Sequence, residues 1–499
     1  MSLTNLITEF FALIDINVLL VLFASTVLGV IIGALPGLTA TMGIALLTGL
    51  TYNVPMEYTF SILMGIYVGA IYGGSISAIL LNIPGTGSAA ATALDGHQLA
   101  LKGKAEMAIK VTRTASIIGT FVGVLALALV TPPLTKIALQ FHSQEFFMLA
   151  LFGVLICGTV GAKDLTIKGW IAGLLGMLIA FIRVDDIEGI SRFTFGRVDL
   201  LSGISVIPAM IGFYAIPEVI KAFTRSSKVT VVQEKHDKKN KENPWIIVFK
   251  KIRVVIQSAL IGVGIGALPG VGEDVAAWVA YDTAKKTSKN KKEFGTGLYE
   301  GAIAPEVGNN AAIGGALIPM LTLAVPGSPP AAVLLGALTL HGIRPGPMIG
   351  IESPGFIAKI AALLFLTVIV LWAVGNLLAK PMSKILKVPV EYLMPIVAVL
   401  SVIGAYAINL SMFDLLLVFI FGVIGYVLDK MEYSPAPIVL GLILGNMIDT
   451  KFRSALVTSN GDFLSFFTRP ISLIIFLMIL FTIIRQFISF GNWRKKKAE

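Results

Sequence analysis

Gly33-Ala34-Leu35-Pro36-Gly37 recurs unchanged as Gly266-Ala267-Leu268-Pro269-Gly270, 233 residues further along the chain. Each copy has a glycine four residues before it, Gly29 and Gly262. A second pair follows. Asn82-Ile83-Pro84-Gly85-Thr86-Gly87-Ser88 resembles Ala324-Val325-Pro326-Gly327-Ser328-Pro329-Pro330, at a spacing of 242 residues. The nine-residue difference fits an insertion in the Lys-rich segment 285–293. Gly73-Gly74 and Gly314-Gly315 stand at nearly the same distance before their Pro-Gly pairs. Two motif pairs in the same order divide the chain into related halves.

The motifs sit in an apolar chain. Of 499 residues, 56% are hydrophobic and 14% charged, with 50 glycines. A soluble protein carries about 25% charged residues. Such a composition excludes disorder, and the single cysteine, Cys157, excludes a disulfide-built scaffold. Apolar runs long enough for helices of a polytopic membrane protein lie near 17–35, 38–52, 58–82, 114–131, 145–160, 166–184 and 200–220. A second set lies near 254–269, 271–283, 299–325, 354–379, 392–409, 412–429, 434–448 and 467–488. The fold expected is all-α, with Pro-Gly-broken helices and re-entrant segments.

Lysine and arginine mark cytoplasmic loops. They cluster at Lys102–Arg113, Lys163/Lys168, 221–253, Lys285–Lys292, Lys380/Lys384/Lys387 and the Arg494–Lys497 tail. The loop 185–199 is instead rich in Asp and Glu. The net charge of +10 is therefore a topology signal, with no nucleic-acid partner expected. The N-terminus falls outside and the C-terminus in the cytoplasm. The first Ala-Leu-Pro-Gly helix then runs inward and the second outward. This predicts two inverted-topology repeats, 1–220 and 254–466, joined by a basic cytoplasmic linker, 221–253. One extra C-terminal helix and a basic tail occupy 467–499. Inverted repeats with interrupted helices are a secondary-transporter pattern.

The breaks are where chemistry is expected. Proline removes a backbone donor and glycine lets the chain leave helical geometry. Unwound backbone in a membrane must be buried in protein or line a wet cavity. After the breaks come Thr39 and Thr41, Thr86 and Ser88, Glu273 and Asp274, and Ser328. A helix restarting there aims free N–H groups at the break and suits a carboxylate. Carbonyls exposed before the break suit Na⁺. Acids inside apolar stretches are costly and point to function, which singles out Glu273, Asp274, Glu300 and Glu306. At the spacing of 233 residues Asp274 corresponds to Thr41, so the second half carries the acids. Asn309 and Asn310, before Gly314-Gly315, are read either as pore-lining amides or as a structural pair. His97 and His341 read as loop residues at the membrane surface. No P-loop, zinc-ligand spacing or catalytic constellation is present, so no enzyme is expected.

Four stretches resemble the large membrane subunit of tripartite tricarboxylate transporters, the TctA family. They are GALPGLTATMGIALL (33–47), YGGSISAILLNIPGTGSAAATALDGHQLALKGKAEMA (72–108), GALPGVGEDVAAWVAYDTAKK (266–286) and EGAIAPEVGNNAAIGGALIPMLTLAVPGSPPAAVLLGAL (300–338). The resemblance implies a multi-pass protein of the bacterial cytoplasmic (inner) membrane with two partners. These are a small TctB-like membrane subunit and a TctC-like extracytoplasmic solute-binding protein. It also implies uptake of an organic carboxylate driven by Na⁺ or H⁺, with no cofactor and no other metal. Placed on this chain, the substrate is expected near Thr39, Thr41, Asn82, Gly85, Thr86, Ser88, Gly327 and Ser328. The coupling ion is expected near Gly37, Gly270, Glu273, Asp274 and Asn309. A stand-alone carrier and a passive channel are the rival readings.

Overall fold

In the first half of the sequence, helix follows helix with short turns. The helices are α1 (Leu3–Ala12), α2 (Ile16–Ala34), α3 (Ala40–Leu50), α4 (Met56–Leu81), α5 (Ala90–Leu101), α6 (Ala105–Ala138), α7 (Ser143–Val160), α8 (Thr166–Ala180) and α9 (Val206–Thr224). The second half holds α10 (Pro244–Phe249), α11 (Ile252–Gly266), α12 (Gly272–Thr287), α13 (Tyr299–Leu323), α14 (Pro329–Leu340), α15 (Ile349–Glu352) and α16 (Phe356–Leu378). It continues with α17 (Met382–Ile385), α18 (Val390–Asn409), α19 (Met412–Lys430), α20 (Pro435–Thr458), α21 (Ser465–Thr468) and α22 (Pro470–Ala498). The computed structural model describes residues 3–160, 166–224, 242–378, 381–386, 388 and 390–498. Most of the basic stretch 221–253, and Lys163, Lys380 and Lys387, lie outside the described residues. Among the described residues the only strands are β1 (Arg183–Val184) and β2 (Ser191–Arg192), paired antiparallel.

Seven described helices are long and apolar enough to cross a bilayer: α2, α4, α6, α9, α16, α18 and α19. With the helical content this makes the chain an all-α, multi-pass membrane protein. Two packing patterns recur between the two halves of the sequence. Thus α2 packs on α4 as α11 packs on α13, and α9 packs against α18 and α19 as α20 packs against α7 and α8.

Glycine sets the distances at the centre. A Cβ on Gly33 would fall 2.0 Å from the Ala70 carbonyl oxygen, and one on Gly266 2.4 Å from that of Ala312. Without a hydrophobic drive between helices in lipid, such small-residue seams let backbones approach and gain dispersion contacts. Between these seams α4 and α13 are almost wholly enclosed.

Two helices differ from the apolar runs read off the sequence. α5 carries Asp95, Gly96, His97 and Gln98, which interrupt its apolar pattern. α14 opens on Pro329-Pro330, which read as a breaker but occupy the first turn, where proline is tolerated. The run at 114–131 is the middle of the longer α6, which continues through Pro132-Pro133.

The acidic loop after α8 is pinned to α20. Asp185 pairs with Arg192 at 2.7 Å and with Arg453, and Arg192 also reaches Asp449 at 2.5 Å. The Ile187 N–H, then that of Glu188 and the two arginines, push the Asp185 carboxyl down to about 2. A depressed carboxyl stabilises the fold above its unfolded value of about 3.9 and loses that contribution as pH falls toward the folded value. Asp185→Asn is therefore expected to loosen this loop at neutral pH. Limited trypsin digestion at Arg183, Arg192 and Arg197 should run faster than in the wild type. An unchanged cleavage rate would contradict the pinning role.

Candidate functional site

The breaks are built from left-handed turns and restarted helices. Gly37 has φ +91°, Gly270 +70° and Gly272 +74°, values that side chains rarely allow. Asn82 and Ala324, which end α4 and α13, are both left-handed at φ 56° and 57°. The amide of Gly85 then bonds the Gly74 carbonyl, and that of Gly327 the Ala316 carbonyl, each at 3.4 Å. The two copies thus share backbone geometry as well as sequence. Thr39 Oγ1 accepts from the Met42 N–H at 3.2 Å and caps α3; Ser328 Oγ accepts from the Ala331 N–H at 3.3 Å and caps α14.

These breaks converge on one cavity of about 330 Å³. The first break supplies Thr39 and Thr41, the second Thr86 and Gly87, the third Gly270 to Asp274, and the fourth Pro329 and Pro330. Residues 434–436 at the start of α20, Tyr214 of α9, Ile71 of α4 and Cys157 of α7 close the wall. The Tyr214 hydroxyl is buried with no partner among the described residues.

The acids of the third break reach across to the first half. Glu273 accepts from Tyr67 of α4, whose hydroxyl also lies 2.9 Å from Ser328 Oγ. Asp274 lies against Gly87, where a Cβ would meet its Oδ2 at 2.4 Å, and it accepts from the Ser88 backbone N–H. Two carboxyls therefore sit beside restarted helix ends and hydroxyls, with no Lys or Arg among the described residues that line the cavity. Tyr67→Phe removes the donor to buried Glu273. It is expected to destabilise the protein by about 1–3 kcal/mol, read as an earlier thermal unfolding in detergent. An unchanged midpoint would show that Glu273 finds another partner.

The candidates of the sequence fall into groups. Thr39, Thr41, Thr86, Gly270, Glu273 and Asp274 line the cavity. Ser88 and Ser328 stand directly behind it. Gly85 and Gly327 pack against the carbonyls of Gly33 and Gly266, and Gly37 faces Glu218. Asn82 is exposed and serves as the left-handed cap of α4. Asn309 lies in the middle of α13, bonded to Asn310 in a separate polar cluster. Glu300 pairs with Lys251 at 2.5 Å at the start of α13. His97 lies inside α5 rather than in a loop, bonded to the Ile79 carbonyl, and His341 caps α14 between Tyr52 and Phe60.

Tyr67, Tyr214 and residues 434–436 gave no sequence signal beyond apolar context. Asp95, an acid in an apolar stretch, is a signal of the same kind as Glu306 and is not among the candidates above. It is fully buried, and its carboxylate collects the N–H groups of Gly295, Gly297 and Leu298 and the Tyr281 hydroxyl. This clamp fixes α5 to the loop before α13.

Helix breaks that meet at one internal cavity in a multi-pass helical protein are the pattern of a membrane transporter. The family model of the tripartite tricarboxylate transporter TctA family matches residues 19–440, and the chain belongs to that family. It is 35% identical over 453 residues to a protein of Agrobacterium vitis described as an uncharacterized 52.8 kDa protein in the TAR-I ttuC′ 3′ region. That match spans 90% of this chain and 89% of the relative. A second A. vitis protein, from the TAR-II ttuC′ 3′ region and likewise uncharacterized, is 37% identical over 208 residues, 42% of this chain and 86% of that protein. No solved structure matches.

Proposed function

We propose that this chain is the large permease subunit of a binding-protein-dependent secondary transporter that imports a tricarboxylate or related organic carboxylate. It works by alternating access in the bacterial cytoplasmic membrane, driven by Na⁺ or H⁺. A TctC-like binding protein delivers the substrate and a TctB-like small membrane subunit completes the assembly. The halves have opposite orientations, with the N-terminus outside and the C-terminus in the cytoplasm, as the loop charges suggest.

The observation that carries the reading is the single cavity shared by the breaks. Restarted helix ends, the hydroxyls of Thr39, Thr41 and Thr86, and the free Tyr214 hydroxyl suit a carboxylate. Glu273 and Asp274 repel the same anion. An anion enters beside them only with a cation or proton to neutralise the charge, and that requirement is the coupling.

The test is uptake of labelled citrate and other carboxylates into vesicles containing the large and small subunits, with the binding protein outside. Accumulation above equilibrium under an imposed Na⁺ or H⁺ gradient, dependent on the binding protein, is expected. Accumulation without the binding protein would favour a stand-alone carrier. Flux that only reaches equilibrium would favour a passive pore.

A further inference from the structure

We infer that Glu306 takes up and releases a proton during the transport cycle, at a site separate from the cavity of the breaks. Its place in the cycle rests on the transport reading above; its proton occupancy rests on local geometry alone. Glu306 lies in the middle of α13 with no exposure, between α5 and α6. One carboxyl oxygen receives Thr92 Oγ1 of α5 at 2.6 Å. The other lies 2.8 Å from Ser116 Oγ of α6. That same Ser116 Oγ lies 2.9 Å from the Thr112 carbonyl oxygen.

A serine hydroxyl has one hydrogen. It serves Glu306 or Thr112, never both. With a proton on Glu306, the carboxyl O–H donates to Ser116 and Ser116 donates to Thr112. The contacts of Thr92, Ser116 and Thr112 are then all satisfied as found. With Glu306 ionised, Ser116 must turn its hydrogen to the carboxylate and the Thr112 contact is given up. One arrangement of heavy atoms thus accepts both proton inventories, which is what an exchangeable proton site requires.

The neighbours supply an independent indication. Arg113, one turn before Ser116 on α6, is buried, and its Nε and Nη1 have no partner among the described residues. Tyr72 of α4 is fully buried, its hydroxyl is likewise unpartnered, and its ring and the Arg113 side chain both lie against Gly375 of α16. From α5 comes Asp95, already saturated by backbone N–H groups and by Tyr281 of α12. α11 meets this part of α13 through Gly262 against Gly308. Arg113 Nε and Nη1 are thus buried without partners on the helix that carries Ser116, and no ion pair joins Arg113 to Glu306 among the described residues. Thr92 belongs to the helix restarted after the second break. Glu306 thus ties α5, through Thr92, to α6, through Ser116, and the proton decides where the Ser116 hydrogen points. The proton comes from water on one side of the membrane, converts carboxylate to carboxylic acid, and returns to water on the other side.

The experiment uses the full-length protein in lipid nanodiscs. Infrared difference spectra are recorded across a pH step for wild type, Glu306→Gln and Asp274→Asn. A protonated-carboxyl C=O band that shifts in D₂O is expected in wild type and in D274N, and is expected to be absent from E306Q. The same band persisting in E306Q overturns the inference. In vesicles with the binding protein outside, E306Q is expected to lose about tenfold or more of the acceleration of citrate uptake by an inward proton gradient, while citrate counterflow persists. A wild-type response to the proton gradient in E306Q also overturns it. If E306Q is not recovered folded, Ser116→Ala keeps the acid and removes one partner. The midpoint of the band should then move, and an unmoved midpoint counts against the site. A band lost in E306Q from a protein that moves no carboxylate supports the proton site and contradicts the transport reading.

Discussion

Asp274→Asn is expected to lower Na⁺- or H⁺-driven carboxylate accumulation by about 100-fold, with the protein still folded and still able to exchange substrate across the membrane. The magnitude follows from the chemistry. An opposite charge within about 4–6 Å of a carboxylate favours its ionised form by about 1–3 pKa units, each a factor of about ten in the equilibrium. Asp274 lines the cavity, accepts from the Ser88 N–H and lies against Gly87 of the second break. Asparagine keeps the shape and the acceptor oxygen but removes the negative charge. The carboxylate of the substrate then no longer needs a cation or proton beside this residue. Concentrative uptake is lost because the gradient has nothing to act through, whereas counterflow, which needs only the substrate seat, continues. The check is a pair of assays on one preparation: accumulation under an imposed gradient and counterflow without one. Equal loss in both would make Asp274 a structural residue. No loss in either would remove it from the coupling site.

Gly85→Ala and Gly327→Ala are the second large pair. A Cβ at Gly85 would fall 1.9 Å from the Gly33 carbonyl oxygen, and one at Gly327 2.0 Å from that of Gly266. In both cases the obstacle is backbone, so no rotamer relieves it. Each added methyl must push a restarted helix away from its neighbour, with a cost of about 1–3 kcal/mol or more. The displaced segments carry Thr86 and Ser328, so the cavity distorts with them. Uptake is expected to fall by at least about tenfold in each variant, with a lower thermal midpoint in detergent. Gly264→Ala is the control. It is exposed in α11, and a Cβ there meets nothing within 4 Å. The substitution should be neutral or stabilise the helix by up to about 1 kcal/mol. If G85A and G327A behave like G264A, the close contacts between break and helix do not hold the site.

The sequence makes the breaks visible because proline and glycine act locally. A missing N–H and a left-handed turn at Gly37 or Gly270 depend on the residue itself. The glycine seams are legible for the same reason: Gly33 and Gly266 can pack tightly whatever faces them. What the chain does not reveal is partnership across it. Tyr67 looks like one more apolar residue of α4 until Glu273, 206 positions away, arrives at its hydroxyl. Tyr214 and residues 434–436 reach the cavity from α9 and from the start of α20, and only the packing of those helices brings them there. Asn82 shows the opposite difficulty. An amide beside a Pro-Gly break suggests a ligand group, whereas its backbone takes the left-handed cap that Ala324 also takes in the other copy. Asn309 follows its neighbours into the cluster around Glu306 rather than into the cavity.

Cys157 gives the most direct measurement of the central claim, that the breaks form one seat for a carboxylate together with its coupling ion. It is the single cysteine of the chain and lines the same cavity as Thr39, Thr86 and Asp274. The rate of its alkylation by a small maleimide can be followed in reconstituted vesicles that take up citrate or another carboxylate. Substrate and coupling ion together should slow the reaction by at least about fivefold, and neither alone should do so to the same extent. A rate indifferent to saturating substrate and ion, in vesicles proven to transport, would place the substrate elsewhere.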